Sequence, residues 1–423
     1  MTGRNTLGIL ELQSNGLSKS ALAEAVAAGF ARHGTSFPNL FTVYDPRGRC
    51  YHQLQALCIS AHIFEVASNA PSATIIDSMA KVPMDALRPW ELWLVRGARD
   101  RLVIKIPHSI IDGTGCISFI QNILSDAASS PAVPEPRPPV RARRFEVVNV
   151  LRATARLLQD TVRPAIPHLA LRKRGQRLPS LDAFYAALSP ATEAPQTMTF
   201  KLPLATLQAV ARCHGATVSH VLVAALGGAL RSELLRHHDE ATVRALDLFT
   251  RVPANARQGP QTSGNLMTAD LVAICLPLRL DVSSDADRLR HVTAAGPAVQ
   301  RGADIAVRRF CREAVLAAVP TSVLERLPLQ KRWSWSCPMY TSSLKGPPTR
   351  LTIAGRKLDS FFYFSSDLTY ANAHMIEVVA VSYEGQMQVA LRTLLGPDFD
   401  LRRFQSALAA SVAALAATAE LRP

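Results

Sequence analysis

The stretch RLVIKIPHSIIDGTGCISFIQNIL, residues 101–124, decides the fold and contains the strongest functional signal in the chain. RLVIKIP is mostly apolar and predicts a buried β-strand, while CISFIQNIL predicts an amphipathic helix. His108 therefore lies where a strand ends, and Asp112 and Gly113 make the turn into the helix. A rigid histidine that titrates near neutrality suits a general base that takes a proton from a hydroxyl or an amine.

Each residue of this turn also has a plain structural interpretation. His-x-x-x-Asp-Gly occurs often by chance, and a histidine at a strand end is commonly a satisfied polar residue. We expect Asp112 to hold the loop and Gly113 to allow a backbone angle that a side chain would forbid. Cys116 could be proposed as a nucleophile, but packing in the first turn of the helix is the favoured interpretation.

The composition indicates a folded globular protein of two lobes. The chain has 423 residues, of which 48% are hydrophobic and 19% charged, so two lobes of roughly 200 residues each are expected. No apolar stretch reaches the ~20 residues of a membrane-spanning helix, and the N-terminus lacks the pattern of a secretory signal. Seven cysteines without a CxxC pair fit reduced thiols in the cytoplasm and predict no metal site.

The formal net charge of +14 indicates an anionic partner. No helix-turn-helix, zinc-finger or RNA-binding signature accompanies this charge, so nucleic acid is not an expected partner. The phosphates of coenzyme A, an acidic carrier protein and a membrane surface remain as alternatives.

The order of elements divides the chain into lobes at residues 1–178 and 179–423. The first lobe ends in a Pro/Arg-rich connection at 129–144 and a basic helical region, 141–177. That region could contact the anionic inner face of a membrane, or pack on the lobe with its arginines in solvent. Strands and helices mix in both lobes, which predicts an α/β fold, and Tyr383–Gln386 is predicted to be a hairpin turn.

HSIIDG resembles the HHxxxDG motif of the coenzyme A-dependent acyltransferase superfamily, which includes peptide-synthetase condensation domains. Further segments resemble the bacterial wax ester synthase/diacylglycerol acyltransferase family. They are MDALRPWELWLVRG (84–97), VSHVLVAALGGALRSEL (218–234), RVPANAR (251–257), GNLMTADLVAICLPL (264–278), PPTRLTIAGRKLDSFFYF (347–364) and VSYEGQMQVALRT (381–393). The matches are collinear over roughly residues 80 to 420.

The resemblance implies two chloramphenicol-acetyltransferase-like lobes that form a V-shaped pseudo-dimer with the active site in a tunnel between them. It implies transfer of an acyl group from acyl-CoA or an acyl-carrier protein to an alcohol or amine, forming an ester or amide. The phosphopantetheinyl thioester would be a substrate, so no permanently bound cofactor and no metal are expected. A monomer in the cytoplasm, in a lipid or natural-product pathway, is the corresponding expectation.

The resemblance also implies roles for particular residues. His108 would be the general base. Asp112 would mainly hold the loop by pairing with an arginine such as Arg251 or Arg257, and Gly113 would allow the turn and a close backbone approach. The expected substrate-binding residues are Trp90, Ser219, His220 and Asn265. Ser219 or Asn265 would stabilise the oxyanion. For Trp90 and His220 a place in the core is the favoured interpretation.

This chain departs from the family pattern at three places. The first motif histidine is Pro107 here, the family's Asn-Asp pair is replaced by Ser219 and His220, and the leucine of the family's Pro-Leu-Trp element is missing between Pro89 and Trp90. Pro107 motivates the alternative of a catalytically inactive binding module with the same fold. The acyl chain, the acceptor and the carrier of the donor stay open.

Overall fold

The computed structural model describes residues 5–45, 50–85, 87–108, 110–126, 195–246, 248–255, 271–299, 338–365, 376–396 and 398–420, and four isolated helical positions at 151, 154, 307 and 310. Within these residues the α-helices are α1 (Lys19–His33), α2 (Ser72–Lys81), α3 (Gly113–Phe119), α4 (Leu204–Cys213), α5 (Val218–Leu234), α6 (Glu240–Ala245), α7 (Asp285–Val299) and α8 (Leu401–Glu420). Short 3-10 turns occur at Gly34–Ser36, Pro38–Phe41 and Ile59–His62, and a π-turn at Ile120–Leu124.

The strands form two large sheets and one small ribbon. In chain order they are β1 (Asn5–Leu12), β2 (Thr42–Asp45), β3 (Cys50–Gln53), β4 (Ile63–Ala67), β5 (Glu91–Arg96), β6 (Arg101–Pro107), β7 (Gln196–Pro203), β8 (Phe249–Asn255), β9 (Leu271–Pro277), β10 (Met339–Lys345), β11 (Thr352–Ile353), β12 (Arg356–Ser365), β13 (Ile376–Tyr383) and β14 (Gln386–Thr393). The first sheet has the order β11-β12-β1-β6-β5-β4, the second β7-β14-β13-β10-β8-β9, and β2 pairs with β3. Two sheets with associated helices confirm the predicted α/β fold of two lobes.

The second sheet lies between a helical layer and the first lobe. Ile376, Val378 and Ala380 of β13 pack in one cluster with α4, α5, α7 and α8. The alternate residues Val379 and Val381 pack in a second cluster with β6 and α3. Because successive side chains of a strand point to opposite faces, the second face of this sheet meets the lobe that contains His108.

Strands β11 and β12 come from the second half of the sequence but complete the first sheet. β12 pairs antiparallel with β1, and the β11–β12 turn is held by Asp126, whose carboxylate accepts from the backbone N–H of Ala354 at 2.9 Å and of Gly355 at 2.8 Å. The two lobes are thus tied by a shared sheet. The boundary near residue 178 lies outside the described residues and stays a prediction.

The segment after the motif differs from the sequence-based expectation. CISFIQNIL was expected to form an amphipathic helix, but α3 ends at Phe119 and continues as a π-turn to Leu124. Most of its side chains are buried, among them Cys116 and Ile123. The amphipathic assignment is wrong because this segment packs between α1 and β10, so nearly every side is covered by protein.

The predicted hairpin at Tyr383–Gln386 is confirmed. β13 and β14 pair antiparallel up to these two residues. Glu384 and Gly385 between them have φ values of 47° and 74°. Two consecutive positive φ values are the geometry of a type I′ turn, which matches the twist of the flanking strands.

Gly29 of α1 permits close packing on the π-turn. A Cβ at this position would lie 2.0 Å from the carbonyl oxygen of Ile123. We expect Gly29→Ala to lower the free energy of unfolding by about 2 kcal/mol, because the helix must move away from the turn. Gly34→Ala is the matched control, since its Cβ would meet no atom closer than 3.5 Å. Equal unfolding midpoints in urea for the two variants would contradict this packing.

The basic region 141–177 lies outside the described residues, apart from the helical positions Leu151 and Thr154. Membrane contact through it therefore stays a prediction. Among the described helices, no single one is long and apolar enough to cross a membrane, although α4 and α5, bent by 99° from each other, pass that test as a pair by length and composition.

Candidate active site at the lobe junction

His108 directly follows β6 at the end of the first sheet. The five residues Leu102–Ile106 before it are all buried, which fixes the strand in the core and makes its end rigid. The N–H of Ile110 donates to the carbonyl of Pro107 at 3.1 Å and closes a turn around the histidine. The side chain of His108 is half-buried. The predicted position of a general base is therefore matched by the fold.

Asp112 is fully buried and begins α3. One of its carboxylate oxygens accepts from the N–H of Gly115 at 2.8 Å, and its carbonyl accepts from the N–H of Cys116 at 2.8 Å. This is the geometry of an N-cap, which satisfies N–H groups that the first helical turn leaves open. The contact supports a loop-holding role for Asp112.

Gly113 brings the motif against the second lobe. A Cβ at Gly113 would lie 2.7 Å from Cδ1 of Leu344 on β10. Its φ is not in the left-handed region, so the expectation of an unusual backbone angle at Gly113 is wrong. The expected close approach holds, but the neighbour is a leucine side chain of the opposite lobe.

The face of β10 that meets the motif also contains Ser342 and Tyr340. Both alternate with Leu344 along the strand, so all three point to the same side. Ser342 is 5% exposed, and its hydroxyl makes no hydrogen bond within the described residues. Sequence reasoning missed Ser342, because only the contact between Leu344 and Gly113 places this strand beside His108.

Behind the turn, Tyr363 of β12 packs in the same hydrophobic cluster as Val379 and Val381 of the second sheet. Its hydroxyl lies 3.0 Å from Oγ1 of Thr6, and Thr6 is the register partner of Ile106, two residues before the histidine. Burial raises the pKa of Tyr363 well above its usual value, with smaller contributions from neighbouring groups that include Tyr340 of the second sheet. Tyr363 thus stays protonated near the junction.

Trp90 lies in the core of the first lobe. It has no exposed surface and stacks on His62 at 4.3 Å and on Phe30 at 5.6 Å between ring centroids. Phe119 tilts against it at 6.2 Å. This placement favours the core interpretation of Trp90 over a wall that substrate reaches.

Ser219 and His220 begin α5, and Asn265 and Arg257 lie outside the described residues. The N–H of His220 donates to Oγ1 of Thr217 at 3.2 Å, and the N–H of Thr217 donates to Nδ1 of His220 at 3.5 Å. The pair forms a capping box. Nε2 of His220 is buried where a Cβ on Gly296 of α7 would lie 2.4 Å from it. The geometry gives His220 a capping role, and Ser219 beside it is half-buried.

The stability of the protein is expected to fall in acid through His220. Burial lowers its pKa in the folded state, whereas the unfolded histidine titrates near its ordinary value of about 6.5. Below that pH the unfolded state binds a proton that the folded state does not, so stability present at pH 7.5 is lost as the pH falls through the folded pKa. His220→Gln keeps an acceptor for Thr217 but cannot titrate.

We therefore expect the loss of unfolding free energy between pH 7.5 and pH 5.5 to be smaller in His220→Gln than in the wild type. Urea unfolding at both pH values measures this difference. An identical loss in the two proteins would show that His220 does not contribute to the acid sensitivity.

The placement of Cys116 favours the packing interpretation over a nucleophile. It is fully buried in α3, and burial raises the pKa of its thiol to about 12. We expect iodoacetamide to leave Cys116 of the native protein unmodified, whereas the exposed Cys58 reacts. Peptide mapping by mass spectrometry measures both, and alkylation of Cys116 at the rate of Cys58 would contradict its burial.

Within the described residues no group of three or more His, Cys, Asp or Glu side chains is placed to hold a metal ion.

Comparison with known proteins identifies the family. Residues 50–222 match the wax ester synthase/diacylglycerol acyltransferase catalytic domain, and residues 269–414 match the WS/DGAT C-terminal domain. A protein of Mycobacterium tuberculosis strain H37Rv, named "Probable diacyglycerol O-acyltransferase Tgs4", is 26% identical over 300 residues. The alignment covers 64% of this chain and 62% of that protein, so the chain spans less than two thirds of the length of this curated relative.

Solved structures show the same fold. The wax ester synthase/diacylglycerol acyltransferase from Marinobacter aquaeolei VT8 superimposes with a TM-score of 0.59 at 18% identity, over 99% of this chain and 96% of that one. The first condensation domain of the calcium-dependent antibiotic synthetase gives 0.57 at 19% identity, over 98% and 92%. With both domain models matched in order and the two-lobe fold in place, the chain belongs to the wax ester synthase/diacylglycerol acyltransferase family.

Proposed function

We propose that this protein transfers an acyl group from acyl-CoA to a hydroxyl acceptor, with His108 as the general base. One observation carries the proposal: the half-buried His108 directly follows β6, in the same turn that brings Gly113 against Leu344 of the other lobe. A substrate that enters between the lobes would meet the histidine there. The family and the printed name of the mycobacterial relative, a diacylglycerol O-acyltransferase, support a hydroxyl acceptor.

The reaction needs one proton acceptor and no covalent enzyme intermediate. His108 removes the hydroxyl proton as the acceptor oxygen attacks the thioester carbonyl carbon. The tetrahedral intermediate collapses, the carbon–sulfur bond breaks, and the imidazolium returns the proton to the thiolate of coenzyme A. The products are an ester and free coenzyme A.

Ser342 is our candidate for stabilising the oxyanion of the tetrahedral intermediate. Within the part of the chain that the structure describes, its hydroxyl makes no hydrogen bond, and Ser342 lies on the strand that faces the motif, two residues from Leu344. A preorganised donor in a water-poor site stabilises the charge that develops on the carbonyl oxygen. We thus assign to Ser342 the role that the sequence suggested for Ser219 or Asn265.

The remaining motif residues position His108 and Ser342. Asp112 caps α3 and fixes the turn that holds His108. Gly113 lets β10 approach, and so brings Ser342 within the same junction. Pro107 occupies the last position of β6, where its carbonyl still closes the turn. The replacement of the first motif histidine therefore leaves the position of His108 intact.

The proposal extends to the donor, the localisation and the oligomeric state. The net charge of +14 suits the phosphates of coenzyme A and also an acidic carrier protein. We propose a cytoplasmic monomer without a permanently bound cofactor. Contact of the basic region 141–177 with a membrane surface is part of the proposal.

The assay combines the purified protein, palmitoyl-CoA and a panel of alcohols and amines. Released coenzyme A is measured with a thiol reagent, and the product by mass spectrometry. Ester formed in an amount equal to released coenzyme A supports the proposal. Amide as the main product would replace the hydroxyl acceptor by an amine, and absence of any product would favour the inactive binding module.

A further inference from the structure

Helix α2 contacts both lobes. Ile75 packs in one hydrophobic cluster with Val103 of β6, so the helix covers the first sheet. Asp77 of the same helix is bonded to the second sheet: its carboxylate accepts from the hydroxyl of Thr197 on β7 at 2.7 Å. The guanidinium of Arg392 on β14 donates to the same carboxylate oxygen at 3.3 Å. Through these two bonds α2 joins the first lobe to the second.

The contact of Asp77 with the second sheet is largely shielded from water. Only 1% of Arg392 is exposed, and the side chain of Asp77 is 22% exposed. A second carboxylate, that of Glu377, lies 3.9 Å from the guanidinium of Arg392. Because an unpaired buried charge is costly, the guanidinium holds Asp77 in place. The contact therefore fixes α2 against the second sheet.

Lys105 connects α2 to the strand that leads to His108. Its ammonium donates to the carbonyl of Met79 at 3.1 Å and also to that of Val82. The last carbonyls of a helix have no partner within the helix, and a lysine there is favourable. Lys105 has no exposed surface and precedes His108 by three residues, about 10 Å along the strand. The second half of α2 thus links the second sheet to the position of the base.

We propose that Asp77 and Lys105 are positioning residues of the reaction, which act through α2 to set where His108 lies relative to the second sheet. This inference rests on the proposed acyl transfer. That reaction needs the base of the first lobe and the oxyanion donor of the second lobe, proposed to be Ser342, at a fixed separation. A displacement of about 1 Å caused far from the chemistry can lower the rate up to about a hundredfold.

Asp77→Ala tests the contact with the second sheet. The variant loses the bonds to Thr197 and Arg392, and we expect its kcat to fall about tenfold, with the KM for palmitoyl-CoA and for the alcohol within about twofold. Asp77→Asn keeps an oxygen that accepts from both partners, so it is expected to restore kcat to within about threefold of the wild type. Ser78→Ala is the matched control, because Ser78 is exposed and its hydroxyl donates to a carbonyl of its own helix.

Lys105→Met tests the contact with β6. Methionine keeps a long side chain and removes the ammonium, and an apolar replacement of similar volume is tolerated at many buried charged sites. We expect kcat to fall about tenfold without a matching change in KM. Lys81→Met is the control, since Lys81 is an exposed lysine in the last turn of α2. Thr197→Val, which removes only the hydroxyl that donates to Asp77, replaces Asp77→Ala if thermal unfolding shows that the alanine variant is not folded.

The same substitutions in a His108→Ala background separate positioning from a general weakening of the fold. Without the base its alignment no longer contributes to the rate, and residues that act as a unit are not additive. We therefore expect Asp77→Ala and Lys105→Met each to lower the residual rate of His108→Ala by less than about twofold. Coenzyme A release at high protein concentration, with palmitoyl-CoA and the best alcohol of the panel, measures this rate.

Each other outcome contradicts a defined part of the account. An equal loss of rate in both backgrounds, a change confined to KM, or a wild-type kcat in both Asp77→Ala and Lys105→Met overturns the positioning role. If the wild type releases no coenzyme A, or if His108→Ala keeps the wild-type kcat, the proposed function itself fails.

Discussion

His108→Ala is expected to lower kcat about a thousandfold in the acyl-CoA assay. Alanine cannot take the hydroxyl proton, and general base catalysis typically contributes between about a hundredfold and ten-thousandfold. The buried residues Leu102–Ile106 hold the strand, and the bond from the N–H of Gly115 to Asp112 holds the cap of α3, so we expect both to remain in the variant. Initial rates of coenzyme A release under saturating substrates measure the effect.

His291→Ala is the matched control for this experiment. His291 is an exposed residue of α7, and we expect its variant to keep the wild-type rate. Thermal unfolding of both variants near the wild-type temperature excludes a loss of fold as the cause. A His108→Ala variant that keeps more than half of the wild-type kcat would remove this histidine from the mechanism.

Ser342→Ala is expected to lower kcat about a hundredfold, with a smaller change in KM. Loss of a single oxyanion donor reduces kcat by roughly a hundredfold to a thousandfold in enzymes that use one. The hydroxyl of Ser342 makes no hydrogen bond within the described residues, so its removal breaks no hydrogen bond among them. The kcat and KM for the donor and the acceptor separate this effect from weaker binding.

Ser343→Ala supplies the control on the same strand. Ser343 is the adjacent residue of β10 and points to the opposite face, so its variant is expected to retain the wild-type kcat. If the two serine variants lose activity equally, the effect comes from the strand and not from an oxyanion donor. Full activity of Ser342→Ala would return the role to another group, such as Asn265.

Local sequence patterns predict the position of His108 well. The apolar run of β6 and the Asp-Gly pair after it specify a strand, a turn and a helix start, because these depend on neighbouring residues only. The Glu384–Gly385 turn is predictable for the same reason. The burial of α3 on nearly all sides is not predictable from the sequence. Its apolar pattern is that of a helix covered on one face, whereas in the fold protein surrounds it.

Local sequence patterns cannot predict residues that join the site only because the two lobes contact each other. Ser342 lies in an ordinary strand, and its place in the site follows from the contact between Leu344 and Gly113. The insertion of β12 into the first sheet pairs residues that are 346 to 359 positions apart in the sequence.

The central claim is that the acyl group passes from acyl-CoA to the acceptor without a covalent enzyme intermediate. The most direct test follows a labelled acyl group and compares the labelled ester with the coenzyme A released. Wild-type protein is incubated with [14C]palmitoyl-CoA, first alone and then with an alcohol, and the label is followed in the ester and in the intact protein. The account predicts no labelled protein before the alcohol is added, and afterwards labelled ester equal to the coenzyme A released. Label bound covalently to the protein, or coenzyme A released without ester, would contradict it.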